Sequence, residues 1–513
     1  MWIGTAAQCR ELDRVAIEEN YCTSLGLMEI AGEIVVDAIL HSGLDTDRCV
    51  VFCGTGNNGG DGFVIARLLQ DRGFEVTAVL AGDEARMSPD CLTNFNLWEE
   101  AGGQTFPFEI NRLEVIEAEL SRADLAVDAL LGTGQEGELR GEIRDACVLL
   151  ANANCPVVSV DIPTGINADT GESLGTHVHA ALTVSFEMAK LGFFQNDGVE
   201  ATGDWLVESL GIPPKVYPEK PDAVVLDELA VGEMLGIRPL SSHKGANGHV
   251  LIVAGSFRMR GAAVLAAEGA LRAGAGLVTV AGISEVMDAV AASVPEALLL
   301  PLEDTDGVLG PESVSDLLDQ QDRYDCAVFG PGLTTHEKTR SFLQEVWKSW
   351  ETPSVVDADA LNALSLGLEL PAGPCVLTPH PGEMARLLGM GSERVQADRF
   401  GAVMRAAAKY GHVVILKGAY TLTAAPGSAV VVNPTGNPGM ASGGMGDVLA
   451  GVIGSLIGQG LDPMQASVCG TFLHGLAGDL AAQSGGEIGL IASDVCGTIP
   501  SARAKLEGCE PTE

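Results

Sequence analysis

Four short stretches of the 513-residue chain mix glycine with oxygen-bearing side chains, a combination suited to holding phosphate and moving protons. Residues 54–62 read GTGNNGGDG, directly after the strand-like VVFC and before the helical FVIARLLQ. Gly54, Gly56 and Gly59 match GxGxxG, a loop whose missing side chains let backbone amides and a helix N-terminus approach a phosphate. A dinucleotide fingerprint also wants an acid roughly 20 positions on. The nearest counterpart, Asp83, lies later than that, so a plain Rossmann dehydrogenase is the runner-up reading. Asn57, Asn58 and Asp61 are more than a structural turn needs. Two further strand ends add Asp128, in VDALLGTG and running into GTGQEG at 132–137, and Asp161 with Thr164, in VDIPTG. Loops at strand C-termini converge on one edge of an open parallel sheet, so the three stretches are expected to line one site. Each Asp alone is as readily a helix cap or turn former; their coincidence favours function.

The fourth stretch, GNPGMASGGMGDVLAG at 436–451, enters a helix beginning near Asp447. Free amides and the positive helix end stabilise developing phosphate charge. Asp447 then stands where a base would deprotonate a hydroxyl beside a transferable phosphoryl group; its plain alternative is an N-cap. No GxxxxGK[ST] occurs, so this is not a P-loop enzyme.

The elements that must position these loops alternate in period. LDRVAIEE and LMEIAGEIVVDAIL have helical spacing; RCVVFCG, FVIARLLQDRG and EVTAVLAG then make a β-α-β unit. ADLAVDALLGTG, the helical IRDACVLLANAN, PVVSVDIPTG and LTVSF complete a parallel α/β sheet. PPKVYPEKP, at 213–221, suits an extended linker. After it the alternation restarts with GHVLIVAGS, AAVLAAEGALRAG, LVTVAG, CAVFGPG, a helix around SFLQEVW, SVVDADA, PCVLTPH, one long helix near SERVQADRFGAVMRAAAKYG, and HVVILKG. Two α/β domains in series are expected.

Composition narrows the function. Hydrophobic residues are 46% and charged residues 19%, a globular balance, and the net charge of −39 repels nucleic acid, so phosphate must be held locally. The charged, amphipathic N-terminus is no secretory signal and the longest uncharged run, 418–446, is broken by prolines, so a cytoplasmic protein without a membrane segment is expected. The 12 cysteines form no CxxC pair, which fits reduced thiols.

R-x-L-D-x-x-A-I near the start, LMEIAG, NNGGDG, DALLGTG and DIPTG resemble the NAD(P)H-hydrate epimerase domain. The resemblance implies that Asn57, Asn58, Gly59, Gly60 and Asp61, then Gly132, Thr133, Gly134, Gln135, Glu136, Gly137 and Glu138, and Asp161 contact the hydrated dinucleotide. It implies that Asn58, Asp128 and Thr164 hold a potassium ion (K+); oxygen ligands with one carboxylate suit such a hard cation better than zinc. Asp161 would move the proton as R and S hydrates interconvert at C6 of the nicotinamide ring. Two positions depart from the family pattern: Ile30 stands where Asn is usual, and Thr164 replaces Ser but keeps the hydroxyl.

Residues 225–507 resemble the ADP-dependent NAD(P)H-hydrate dehydratase of the ribokinase-like fold, through HKGANGHVLIVAGS, GPGL, VVDADALNAL, LTPHPGEMARLLG, ILKGAYT and GMASGGMGDVLAG. The resemblance places Ala262, Gly332, His380 and Asp447 on the hydrate, and Lys417, Gly418, Ala419, Tyr420, Thr421 and Gly446 on the nucleotide product AMP. His380 is read as a binding residue. Mg2+ is expected with the diphosphate; Asp357 and Asp359 are read as caps of the following helix, with an outer-shell magnesium role as the alternative. Thr334 departs from the family's GPGLG.

The expectation is thus an α/β chain of two αβα domains: a Rossmann-like epimerase domain at 1–212, a Pro-rich linker at 213–224, a ribokinase-like dehydratase domain at 225–507 and a tail at 508–513. Its substrates would be the hydrates NADHX and NADPHX with ADP, its partners further copies of itself in a homo-oligomer, and neither nucleic acid nor membrane. The alternative is a small-molecule kinase of the same fold joined to a nucleotide-binding sensor domain.

Overall fold

The computed structural model describes residues 1–44 and 47–508; of the expected tail, residues 509–513 lie outside the described residues. The chain divides into two units, Met1–Asp222 and Ala223 onward.

In the first unit seven strands pair in parallel, in the order Gln104–Pro107, Glu75–Leu80, Arg48–Cys53, Leu125–Ala129, Val157–Val160, Leu182–Phe186 and Asp204–Glu208. Successive side chains of a strand point to opposite faces, and both faces here are covered. Val51 and Cys53 pack with Val35, Phe63, Phe95 and Trp98 from helices Ser24–His41, Asn57–Asp71 and Pro89–Glu100. Val50 and Phe52 pack on the other side with Ile116, Leu120, Ala146 and Leu150 from Leu113–Arg122 and Gly141–Ala151. Burial on both faces explains why these strands read as continuous apolar runs rather than alternating ones.

The second unit continues the pattern with seven parallel strands: Leu298–Pro301, Leu277–Gly282, His249–Val253, Cys326–Phe329, Ser354–Val356, Cys375–Leu377 and Val413–Leu416. Leu422–Ala424 and Val430–Val432 add antiparallel, and Ala223–Val225 pairs parallel to the latter. Helices Arg260–Arg272, Met445–Gly458, Pro463–Gly485 and Ala492–Leu506 pack together, and Met445–Gly458 is buried nearly all round. No helix among the described residues is long and apolar enough to cross a membrane.

Two expectations change. The Pro-rich segment is folded rather than extended: Pro214–Val216 form a 3-10 turn, Ile212 is buried with Leu12, Leu27 and Met188, and Tyr217 packs on that cluster and donates its hydroxyl to Glu187. The apolar residues between the prolines cause this, and the unit boundary falls after Asp222. The long helix expected at 392–411 is two, Ser392–Ala397 and Arg399–Tyr410, because Asp398 adopts φ −145°, ψ 72° and accepts from Gly401 N at 2.8 Å as the cap of the second. Asp398→Ala is expected to cost about 1 kcal/mol, read as faster hydrogen exchange along 399–410.

Candidate active sites

In the first unit the strand order reverses between Arg48–Cys53 and Leu125–Ala129, and ligands of open α/β sheets bind at such switch points. A cavity of about 470 Å³ lies there. Asn57, Asn58 and Asp61, Gly132 to Gln135, and Asp161 line it, so the three strand-end stretches do meet. Helix Asn57–Asp71 opens at Gly56 with no side-chain cap, leaving first-turn amides for a ligand.

Not every residue of these loops is on the wall. Gly59 and Gly60 are buried: a Cβ at Gly59 would sit 1.8 Å from Gly54 O, and one at Gly60 2.5 Å from Met28 Sδ, so both serve close packing of the helix. Glu136, Gly137 and Glu138 are exposed beyond the wall. Ile30 is 37% exposed and off the wall, which Leu27, Met28 and Ala31 of the same helix line; the departure from Asn leaves the cavity untouched. Asp83 caps the short turn Glu84–Arg86.

Asp161 caps no helix. It holds a left-handed φ of 70°, unusual for Asp, with one carboxylate oxygen 2.7 Å from Lys190 Nζ and the other accepting from Thr133 N at 3.0 Å. Lys190 is buried and also donates to Ser185 Oγ at 2.7 Å and Met188 O at 3.0 Å. Burial works against its charge, but Asp161, with Cys9 and Asp13, more than offsets this and holds the ammonium above the ordinary lysine value. Asp61 is pushed well up by burial and by Asp161 and Asp13. Asp13, an exposed residue, also opens onto the cavity; the protein on its inner side, then Asp161, raises it to about 6 against the pull of Lys190.

Asp128 and Thr164 lie buried beneath the wall. Asp128 accepts from Thr164 Oγ1 at 2.7 Å, Thr164 N at 2.8 Å and Ser159 Oγ at 2.9 Å, while burial still holds its carboxyl above the usual range.

Sequence reasoning missed Lys190, Asp13 and Glu187. Lys190 is the one charged residue between Glu187 and Asp197, within MAKLGFF, and a lysine in so apolar a run needs an anionic partner. Asp13 sat in the R-x-L-D motif without a role.

In the second unit the order reverses between His249–Val253 and Cys326–Phe329. Ala262 and Gly332 meet there, a Cβ at Gly332 falling 2.9 Å from that of Ala262. The turn after Cys326–Phe329 is tied to the next strand's end, since Thr334, at φ 72°, donates its N–H to Asp359 Oδ2 at 2.8 Å.

Asp447 is not an N-cap. Helix Met445–Gly458 opens on Gly444, at φ 96°, with no side-chain cap, and Asp447 sits one residue into its first turn beyond Gly446. Asp357 and Asp359 are not side-chain caps either. Asp359 holds the Thr334 turn; Asp357, 1% exposed, accepts from Thr378 Oγ1 at 2.6 Å and from Lys417 Nζ at 2.8 Å. Burial and the Asp357 charge push Asp447 up to about 7, against Lys417. A Cβ at Gly446 would lie 3.2 Å from Lys417 Nζ, so the glycine leaves room for the ammonium.

Lys417 thus points its charge at the acids around Asp447, while the rest of its loop is open: Gly418 and Ala419 are exposed and Thr421 Oγ1 donates to Gly418 O at 2.9 Å. Buried Arg399 donates to the carbonyls of Ala419 and Tyr420, holding Tyr420 at φ 49°; burial lowers its guanidinium to about 10. His380 begins helix Pro381–Leu388, its Nδ1 accepting from Gly382 N at 3.0 Å and its Nε2 3.4 Å from Glu383. Burial, then Lys417 and Arg386, lower its pKa, which suits the neutral, accepting ring.

The sequence family described as YjeF-related protein N-terminus matches residues 24–192, and the family described as NAD(P)H-hydrate dehydratase matches 250–501. The bifunctional NAD(P)H-hydrate repair enzyme Nnr of Moorella thermoacetica is 40% identical over 516 aligned positions, covering 99% of this chain and 97% of that one. Among solved structures, a ribokinase-like superfamily protein of Enterococcus faecalis is 27% identical with a TM-score of 0.50, covering 55% of this chain and 98% of that one. The ADP/ATP-dependent NAD(P)H-hydrate dehydratase of Bacillus subtilis, co-crystallised with ATP and Mg2+, is 31% identical with a TM-score of 0.49, covering 55% and 98%. With both sites in order along one chain and a relative matched from end to end, the chain belongs to the family of bifunctional NAD(P)H-hydrate repair enzymes.

Proposed function

We infer that the first unit interconverts the R and S hydrates of NADH and NADPH and that the second returns the S hydrate to the dihydronicotinamide at the expense of ADP, giving AMP and phosphate. The observation that carries the reading is the pairing, in one chain of this family, of a carboxylate bonded to a buried lysine at Asp161 with a base near neutrality at Asp447.

In the second unit Asp447 takes the proton of the C6 hydroxyl as its oxygen attacks the β-phosphorus of ADP and AMP leaves. Phosphate is a far better leaving group than hydroxide. It departs with the C6–O electron pair, and loss of a proton from C5 restores the C5–C6 double bond. Lys417, held by Asp357, neutralises charge on the phosphoryl oxygens, and the uncapped amides at Gly444–Gly446 face the same charge. The donors fit magnesium: Asp357 Oδ2 makes no hydrogen bond among the described residues and faces the Gly446 turn, so it would hold water of the ion's shell. Magnesium there would neutralise diphosphate charge.

In the first unit the residues fit potassium. A Cβ at Gly132 would lie 2.9 Å from Asp161 Oδ2 and 3.2 Å from Asn58 Oδ1, so both acceptors face that glycine, while Asn58 Nδ2 is buried without a partner. Amide orientation is assigned from such networks. Turned over, the amide donates toward Asp161 and leaves its oxygen inward, where with Asp128 and Thr164 it would hold K+. The ion would fix the turn that carries Asp161.

The test is return of dihydronicotinamide absorbance from a mixture of R and S NADH hydrate with ADP and magnesium. Complete return with one phosphate released per molecule restored is expected. Return of only the S portion would remove the epimerase, and ADP consumed without return would make the second unit a kinase of another substrate.

A further inference from the structure

Four acids line the first-unit cavity: Asp13, Asp61, Asp161 and Glu187. Their surroundings sort them. Glu187 is engaged in structure, accepting from Leu210 N at 2.6 Å, Ser209 Oγ at 3.1 Å, Ile212 N at 3.3 Å and the Tyr217 hydroxyl. Asp161 is an anchored carboxylate between Lys190 and Thr133 N. Asp61, half-buried on the cavity wall, is held well above the ordinary carboxylate range by burial, then by Asp161 and Asp13. Asp13 differs from Glu187 and Asp161 in having no bonded partner, and from Asp61, which has none among the described residues either, in being exposed rather than half-buried. It comes from helix Ala6–Glu18 rather than from the sheet edge, makes no hydrogen bond or ion pair among the described residues, and opens directly onto the cavity. Nothing structural depends on its carboxyl, yet it faces the charge of Asp161 and Lys190.

We propose that Asp13 is the second proton-transfer residue of the first unit, giving a proton to the hydroxyl leaving C6 while Asp161 takes one from the water that arrives on the other face. The inference rests on the epimerase reading above. The step balances: the C6–O bond breaks with its electrons on oxygen, which leaves as water with the Asp13 proton. The N1 lone pair forms a C6=N1 iminium, and a second water adds its oxygen to C6 and its proton to Asp161. Epimer is converted to epimer with no oxidant or reductant. In the reverse direction the two carboxyls exchange roles, and the required state is the pair sharing one proton. Two carboxyl groups in different surroundings are what such a division needs: Asp161 is bonded to a cation and an amide, Asp13 to neither. Arg10 and Cys9, the other polar groups beside Asp13, do not replace it. Arg10 is directed to Thr133 O at 3.5 Å, and the Cys9 thiol is raised by burial.

The experiment uses the whole chain, so that dehydration of S NADH hydrate by the second unit reports folding in the same tube. R hydrate without ADP is followed by NMR in ¹⁸O-labelled water. D13N is expected to slow equilibration by roughly 10²–10⁴-fold with S dehydration unchanged, and D13E to recover part of the loss. Wild type is expected to place label at C6 with each inversion and to slow as pH rises above about 6, the limb that D13N removes. Equilibration by D13N as fast as wild type overturns the assignment while leaving the epimerase reading intact. Equal losses in D13N and D13E with weakened binding of the hydrate overturn it in favour of a structural role. Inversion without label overturns C6–O cleavage, and a wild type that leaves R hydrate untouched sinks the epimerase reading itself.

Discussion

Asp447→Asn is expected to reduce dehydration of the S hydrate by roughly 10²–10⁴-fold while the chain still binds ADP and still equilibrates the two hydrates. The amide keeps the shape of the carboxyl but cannot accept the hydroxyl proton. Asp447 caps nothing, so its loss leaves the Met445–Gly458 helix intact. The pH profile makes the test specific. Burial and the neighbouring Asp357 raise Asp447 to about 7, so the neutral acid dominates below that pH and the base above it. Wild-type dehydration therefore falls as pH falls through about 7 and levels off above it. Glu383 also titrates near 7, again chiefly through burial, but one of its oxygens accepts His380 N at 2.9 Å as part of a capping box. Glu383→Gln is accordingly expected to keep the acid limb. A limb that follows Glu383 instead, or an Asp447→Asn chain that works at the wild-type rate, removes Asp447 from the chemistry.

Lys190→Met is expected to destabilise the first unit by about 3 kcal/mol and to abolish epimerisation, because removing one member of a buried pair leaves the other charge uncompensated. The Lys190 side chain is 2% exposed and that of Asp161 16%; access of Asp161 to the cavity places the cost at the lower end of the known range. The cost is read from hydrogen exchange in Val157–Val160 and Leu182–Phe186, the strands leading to Asp161 and Lys190, with strands of the second unit as internal reference. Adding Asp161→Asn to Lys190→Met is expected to restore most of the stability and none of the activity, since neutral side chains satisfy the fold but not the proton transfer. Unchanged protection in the single variant would mean that the pair contributes nothing to the fold.

The layers of both units were legible from sequence because a buried parallel strand is an apolar run and a helix against it keeps a 3.6-residue period, both local properties. The ends of those strands were legible too, and so was the convergence of their loops, which follows from parallel pairing alone. Helix breaks were less so. Asp398 interrupts an apolar spacing that continues across it, and only its backbone angles and the bond from Gly401 reveal the stop.

By itself the sequence determined the two α/β units, the Gly-rich turns and the residue types at the strand ends, because each depends on neighbours within a few positions. Tertiary structure decided which of those residues do what. Asp357 looked like a helix cap and proved to hold Lys417, 60 residues away in the chain, at 2.8 Å. Gly59 and Gly60 are glycines because their helix packs too closely for a Cβ, and Lys190 and Asp13, outside every Gly-rich turn, came to the cavity. The reason is physical: the role of a carboxylate is set by its partner and its exposure, and both are supplied by chain segments far away in sequence.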